Sequence, residues 1–488
     1  MVVPPATVAP LGEKVLRGAL WTTCGALLNK GITLVGQVGL AWFLVPDDFG
    51  LVAIALSLTA LAAVFTSGGL QTILVQKSPR DFDRLAGQCF WLSLVLNTLA
   101  GLSVLALAPA AEWLFTDKRL TPLVAIVGLT LPLGALTTIY TAKLYADLRF
   151  KAMALLQLGE GAVYTASAVI LAYNGFGPYA LVLPQLWVRL VAALTSRLVA
   201  GRIAIGRPHP STWLVLVAPA SLLMFQSMLN AIQSYGPSFV IGLFHSPREA
   251  GLYFWSYQLS AQAVFLMAVQ LRQVLFPSFS KLNQEEDRQF AGFRSGLQTL
   301  NALTIPICVV QASLADPVIH LVFGDRWQAA IPVVQWLSVG MAATPLQVLG
   351  NAILMARGQF AALTLGSTVA VVLMLVACLT GSILGESPMI ALCTAAAAWL
   401  ANGFTLFLAC RSMGKPWGPL VLELRRPLIL AALATSFALL FTITIQHSAA
   451  VRMASAGAIF ILFYTVGSRV FLREEFGRLF RLLQRKRP

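Results

Sequence analysis

Apolar residues along this chain come in long runs rather than in the strict alternation of half-buried strands. The runs lie at residues 16–45, 49–70, 85–108, 120–140, 150–173, 178–200, 213–244, 250–277, 297–322, 331–355, 359–384, 388–411, 427–446 and 450–471. Each is close to or above the roughly 20 residues that an α-helix needs to cross about 30 Å of hydrocarbon. The connections are short and carry Gly, Pro and charge, as in VPDDFG at 45–50, YNGFGP at 173–178 and FGDRW at 323–327. A closed β-barrel, the other spanning solution, reads as short alternating strands. The pattern therefore predicts an all-α polytopic membrane protein of about fourteen transmembrane helices, with no loop large enough for a separate soluble domain.

Composition agrees. Of 488 residues 58% are hydrophobic and 11% charged, against about 25% charged in soluble domains. The formal charge of +15 raises nucleic acid or an anionic membrane surface as partners, and its placement separates the two. With the N-terminus set inside, twenty-five Lys and Arg fall on the inner side and five, namely Lys118, Arg119, Arg248, Arg326 and Arg452, fall outside. That asymmetry predicts that both termini are cytoplasmic. Basic residues spread over every inner loop do not make a nucleic-acid face; they orient the chain and meet anionic lipid. The tail from Arg473 either forms a basic amphipathic surface helix or frays. The six cysteines sit within or at the ends of apolar segments with no CxxC pair, which makes them small core residues. The first dozen residues, MVVPPATVAPLG, lack the features of a cleaved leader, so the first segment is expected to be kept as a helix.

Sliding the chain against itself gives one informative offset, 201 residues. Leu28-Asn29, Phe43, Pro46, Gly50-Leu51, Leu58, Ala60, Ala62, Leu70 and Leu74 match Leu229-Asn230, Phe244, Pro247, Gly251-Leu252, Leu259, Ala261, Ala263, Leu271 and Leu275. The outer turn Pro46-Asp47-Asp48-Phe49-Gly50-Leu51 recurs as Pro247-Arg248-Glu249-Ala250-Gly251-Leu252. An offset of six helices keeps both copies in one orientation, the parallel repeat of transporters with a substrate cavity between halves. The expected organisation is an N-lobe at 1–211, a C-lobe at 212–415, and a helix pair with its basic tail at 416–488. Reuse of Pro and Gly in tight turns is the plainer alternative.

Charges inside apolar segments need a reason, because each costs at least about 2.5–3.5 kcal/mol at mid-bilayer. Lys30, Glu160, Arg189 and Arg272 are such residues. In one reading Lys30, Arg189 and Arg272 line a wet cavity and bind an anionic substrate, Arg suiting phosphate through its planar fork, while Glu160 balances them or exchanges a proton. In the other, Glu160 pairs structurally with Lys30 or Arg189, and Arg272 snorkels to the inner interface. Asn29, Asn230 and Gln71 are candidate sugar contacts, although polar residues also join helices to one another. Gln37, Gln226, Gln233, Gln258, Gln262 and Gln270 add to a polar content unusual for lipid-facing surface. Tyr253, Trp255 and Tyr257 follow an outer turn and are expected in an interfacial aromatic belt.

No GxxxxGK[ST] loop, GxGxxG turn or HExxH pair is present, and the four histidines are scattered. No catalytic residue, metal or cofactor is expected. Asp47 and Asp48 read as turn residues, since Arg248 and Glu249 replace them in the second copy.

The opening GALWTTCGALLNKGITLVGQVGLAWFLVPDDFGLVAIALSLTALAAVFTSGGLQTILVQK resembles the start of Wzx-type polysaccharide flippases of the MOP superfamily, in its exopolysaccharide and colanic-acid-like exporter branch. The resemblance is carried by G-x-x-W at Gly18–Trp21, L-x-P-x-D-F-G-L at Leu44–Leu51 and F-x-x-x-G-L-x-x-x-L-x-Q at Phe65–Gln76. It implies two six-helix lobes of the MOP/MATE type around a central cavity and alternating access. It also implies the bacterial inner membrane, an undecaprenyl-pyrophosphate-linked oligosaccharide as substrate, an H+ or Na+ gradient as drive, and polymerase and export machinery as partners. Cationic residues in helices 1, 2 and 8 hold the pyrophosphate in relatives; here helix 8 has Arg272, but Gln71 stands at the repeat-equivalent place in helix 2. A cation-coupled multidrug antiporter, or a polytopic glycosyltransferase or ligase, are the competing functions.

Overall fold

The computed structural model describes residues 11–67, 70, 74, 79–201, 203, 205–281, 285–443 and 449–471. Among them no strand occurs, and every predicted apolar segment coincides with a helix. In chain order these are α1 (Leu11–Phe43), α2 (Pro46–Ser67), α3 (Pro79–Phe115), α4 (Leu120–Ala146), α5 (Phe150–Tyr173), α6 (Tyr179–Ala200), α7 (Pro210–Phe244), α8 (Pro247–Lys281) and α9 (Glu286–Ser313). There follow α10, broken into Ile331–Met341 and Thr344–Ala356, then α11 (Phe360–Leu384), α12 (Ser387–Ser412), α13 (Arg425–Ile443) and α14 (Ala449–Phe471). Seven described helices are long and apolar enough to cross a membrane, or eight if α9 and Ala315–Phe323, bent by 64°, make one span. The protein is a multi-pass membrane protein.

Local chemistry sets the repeated turn. Pro46 and Pro247 open α2 and α8 at the first helical position, where a missing N–H costs nothing and the fixed φ already suits a helix. Asp48 Oδ2 accepts the Val45 N–H at 3.1 Å. Its counterpart Glu249 accepts the N–H of Ser387, the first residue of α12, at 3.0 Å. The turn role expected of Asp48 is thus made of hydrogen bonds at helix N-termini, where negative charge is favoured.

The chain folds as two compact units, Met1–Tyr235 and Gly236–Pro488, dividing inside α7. In the first, α2 packs on α3 and α4, α3 on α4, and α6 on both α4 and α5. In the second, α8 packs on α9 and α10, α9 on α10, and α12 on both α10 and α11. These are the same five pairings displaced by six helices, so the repeat seen in two turns extends through the packing. The first unit has a core around Leu70, Phe82, Cys89, Ile139 and Leu144. The second is built on Phe279, Phe293, Leu300, Leu349 and Leu406, and α13 and α14 pack on one another and on α9.

The expected aromatic belt is overturned at two of its residues. Tyr253 and Trp255 are not belt residues: they are 4% and 1% exposed. Trp255 stacks on the buried Trp327 at 4.3 Å between ring centroids, and the Tyr253 hydroxyl meets Thr394 Oγ1 of α12 at 3.1 Å. The cause is the irregular segment after α9, a π turn at Ile319–Phe323 followed by a 3-10 turn at Asp325–Ala330. It lays Phe323 and Trp327 against α8 and covers what would otherwise be an interfacial ring.

Candidate functional site

Two helix pairs in the first unit place its intramembrane charges. α1 and α5 run parallel: Lys151 Nζ sits 5.0 Å above the Trp21 ring, and Phe43 meets Tyr173 edge-on at 5.6 Å. Both contacts join residues 130 apart in number, so the same register sets Lys30 level with Glu160. Small residues make the approach close. A Cβ on Gly25 would lie 2.8 Å from Ala154 Cβ, and one on Gly39 3.2 Å from Val169 Cγ2. Such contacts take the place of hydrophobic drive in lipid.

α5 and α6 run antiparallel. The Tyr164 hydroxyl donates to the Leu181 carbonyl at 3.0 Å, and Trp187 Nε1 donates to Ser167 Oγ at 3.1 Å. Carried along the pair, the first contact sets residue 185 and the second residue 194 opposite Glu160, so Arg189 falls between the two, and the Glu160 carboxylate lies within electrostatic range of the Arg189 guanidinium. Lys30, Glu160 and Arg189, one each on α1, α5 and α6, therefore share one level of the unit. Lys30 and Glu160 are half-buried and Arg189 is exposed. Among the described residues none of the three forms an ion pair within 4 Å. The arrangement carries two cations and one carboxylate, a net positive level in a segment where charge is costly.

Asn29 lies beside Lys30, and its Oδ1 is buried without a hydrogen-bond partner. It rests where a Cβ of Gly161 would stand. Asn230 is exposed on α7 within the same unit. Arg272 belongs to α8 in the second unit, and its side chain lies outside what the structure describes, as does Gln71 altogether. Of the other glutamines, Gln37 and Gln262 are each 7% exposed. Gly161 was not singled out from the sequence, yet a signal exists. Glycines 159 and 161 flank the acid of α5, and a glycine within a helix, at about 0.5–1 kcal/mol, marks close approach.

A family model described as "Polysaccharide biosynthesis protein" matches residues 40–332. The chain belongs to that family. Glu160, Arg189 and Arg272 fall within the matched stretch and Lys30 just before it. Curated relatives include the succinoglycan biosynthesis transport protein ExoT of Rhizobium meliloti (strain 1021), 24% identical over 333 residues, 67% of this chain and 66% of the relative. The lipopolysaccharide biosynthesis protein WzxC of Escherichia coli (strain K12) is 23% identical over 335 residues, 67% of each. The chain thus spans about two thirds of the length of these relatives. Among solved structures, the lipid II flippase MurJ in an inward closed conformation superposes with a TM-score of 0.75 at 13% identity, over 94% of this chain and 99% of that one. An inward-facing multidrug resistance MATE family transporter of the MOP superfamily gives 0.63 at 12% identity, over 81% and 98%. At such identities the likeness establishes the fold, which is of the MOP/MATE type.

Proposed function

We propose that this protein is a flippase that carries a lipid-linked oligosaccharide across the bacterial inner membrane by alternating access, supplying cell-surface polysaccharide synthesis. The observation that carries the reading is the level shared by Lys30, Glu160 and Arg189, where cations outnumber carboxylates and no ion pair within 4 Å neutralises them. An undecaprenyl pyrophosphate head group has the matching charge, and its phosphates suit an Arg fork. Lys30, Arg189 and Arg272 hold that head group, Glu160 balances them or carries the coupling proton, and Asn29, Asn230 and Gln71 contact sugar. The lipid tail stays in the bilayer while the halves, 1–211 and 212–415, move, with both termini cytoplasmic and an H+ or Na+ gradient as drive. Membership of the polysaccharide biosynthesis family supports this over multidrug antiport or glycosyl transfer, as do the printed names of ExoT and WzxC. Polymerase and export machinery are the partners that would take the product.

The test is uptake of undecaprenyl pyrophosphate bearing one fluorescent sugar into proteoliposomes. A hydrogen bond to a charged group is worth about 1.5–3 kcal/mol, so Lys30→Ala and Arg189→Ala are each expected to reduce translocation at least about tenfold, with Lys30→Arg retaining most of it. Wild-type rates in both alanine variants would sink the charged-site reading.

A further inference from the structure

The flatness of α5 at Gly161 is unusual even for this glycine-rich pair. Gly25 and Gly39 of α1 face a methyl group or a branched side chain of α5, whereas Gly161 reverses the direction: the missing side chain is on α5 and the filler comes from α1. The filler is polar. Asn29 Oδ1 occupies the place of the absent Cβ, is shut off from solvent, and receives no hydrogen bond. A carboxamide is an expensive choice for packing at mid-membrane, and Ala would fill a shallow gap more cheaply. What Asn29 supplies is a fixed side chain one residue before Lys30, seated one residue after Glu160. It is a key in a keyhole placed where α1 and α5 present their charges.

Resting on the charged-site reading above, we propose that Asn29 is a positioning residue, its carboxamide locked over Gly161 so that α1 cannot slide or rotate on α5 and Lys30 stays level with Glu160. The close approaches at Gly25 and Gly39 act with it, whereas the two end contacts restrict the same movement less. Lys151 over Trp21 and Phe43 on Tyr173 lie at the two ends of the pair, and flexible or flat side chains of that kind tolerate a shift. Around Glu160 the groups that could answer a misplaced Lys30 are Arg189 on α6, with Tyr164 on α5 and Tyr235 on α7 a turn away. α4 offers no titratable residue from Leu120 to Ile139. Any side chain at 161 must displace the Asn29 amide, and where the amide has no other space the shift passes to α1 and carries Lys30 with it.

The experiment reads the register directly. In full-length protein with the six native cysteines replaced, a Lys30→Cys/Glu160→Cys pair is cross-linked in membranes by a short bifunctional thiosulfonate, and a Phe43→Cys/Tyr173→Cys pair serves as reference. Adding Gly161→Ala overpacks the keyhole and is expected to lower cross-linking at 30/160 at least about threefold relative to 43/173. Restoring the fit with Gly161→Ala/Asn29→Ala returns it toward the starting yield. Asn29→Ala alone, which removes the key without a clash, broadens the yield over neighbouring pairs such as Lys30→Cys/Gly159→Cys. In native-charge protein, translocation of the fluorescent undecaprenyl pyrophosphate saccharide falls in Gly161→Ala and recovers in the double variant. Unchanged 30/160 cross-linking in Gly161→Ala overturns the key whatever translocation does. If instead cross-linking responds as expected while Lys30→Ala transports at the wild-type rate, the key stands as a register device and the charged-site reading is the part that fails.

Discussion

The Tyr464 hydroxyl of α14 donates to the backbone carbonyl of Ala302 on α9 at 2.8 Å. That carbonyl is available because the residue four further on is Pro306, which has no N–H to give it. Ala302 is 1% and Tyr464 5% exposed, so the freed acceptor would otherwise stand unpaired in an apolar interior. α14 is thereby tied to α9 at the turn where Pro306 leaves a carbonyl without its helical donor.

Tyr464→Phe should destabilise the protein by about 1–2 kcal/mol, the cost of leaving a buried carbonyl without a donor, read by denaturant titration in detergent. Pro306→Ala returns a backbone N–H to that carbonyl. In that background Tyr464→Phe is expected to cost less than half as much, and equal costs in the two backgrounds would show that the hydroxyl is not replacing the proline's missing donor.

Glu249 and Asp48 are the same position of the repeat, yet the former reaches outside its own turn. By accepting the Ser387 N–H it caps the N-terminus of α12 from α8. Glu249→Ala is expected to cost about 1 kcal/mol and Glu249→Gln, which keeps the acceptor but not the charge, about half of that. Asp47→Ala, at a residue whose repeat partner is Arg248, should change stability by less than about 0.5 kcal/mol.

How these features could be read beforehand differs by kind. Apolar length and Pro-led turns placed α1 to α14, because in lipid a segment must satisfy its own backbone and only helix length remains free; the short helix Gly418–Glu423 between α12 and α13 was not among them. α10 was predicted at 331–355 as one rod, and the break at Ala342–Ala343 announces itself only through Pro345 in the first turn of its second half. Trp255 was misplaced because an aromatic near an outer turn looks alike whether it meets headgroups or a neighbouring helix; the π turn that buries it has no hydropathy signature. Lys30, Glu160 and Arg189 were recognisable as costly charges, but their common level depends on the α1/α5 and α5/α6 registers, which small residues set and hydropathy does not record. Gly161 was invisible for the opposite reason, since what matters there is a missing atom.

Arg357, at the end of α10, joins three elements of the second unit. Its guanidinium donates to Glu286 at 2.8 Å and to Gln289 Oε1 at 3.0 Å, while Gln289, fully buried, donates to the Phe279 carbonyl at 2.9 Å. Lys cannot span both acceptors. Arg357→Lys should cost about 1 kcal/mol and Arg357→Met about 2–3, since the latter strands a buried amide oxygen. Hydrogen exchange should speed up over 286–293 and leave α1–α6 unchanged; uniform acceleration would point to general destabilisation instead.

The turn between α3 and α4 should be acid-sensitive. Thr116 there has φ 53°, a left-handed conformation that costs a β-branched residue roughly 1–2 kcal/mol, so the turn needs support. Asp117 supplies it, accepting from the Arg119 N–H at 2.9 Å and from its guanidinium at 2.8 and 3.1 Å. The hydrogen bonds from Arg119 hold the Asp117 carboxyl below the usual carboxylate range, against partial burial that pulls it upward. A carboxyl with a depressed folded value binds fewer protons folded than unfolded. Its stabilisation is therefore complete above the unfolded value of about 3.9 and lost as pH falls through the folded one. Because Arg119 is 51% exposed, the pair is worth at most about 0.5–1 kcal/mol. The stability difference between wild type and Asp117→Asn should stay flat from about pH 5 to 8, shrink with added salt, and close below about pH 4. A difference undiminished near pH 3 would mean that the Asp117 side chain supports the turn through its shape rather than its charge.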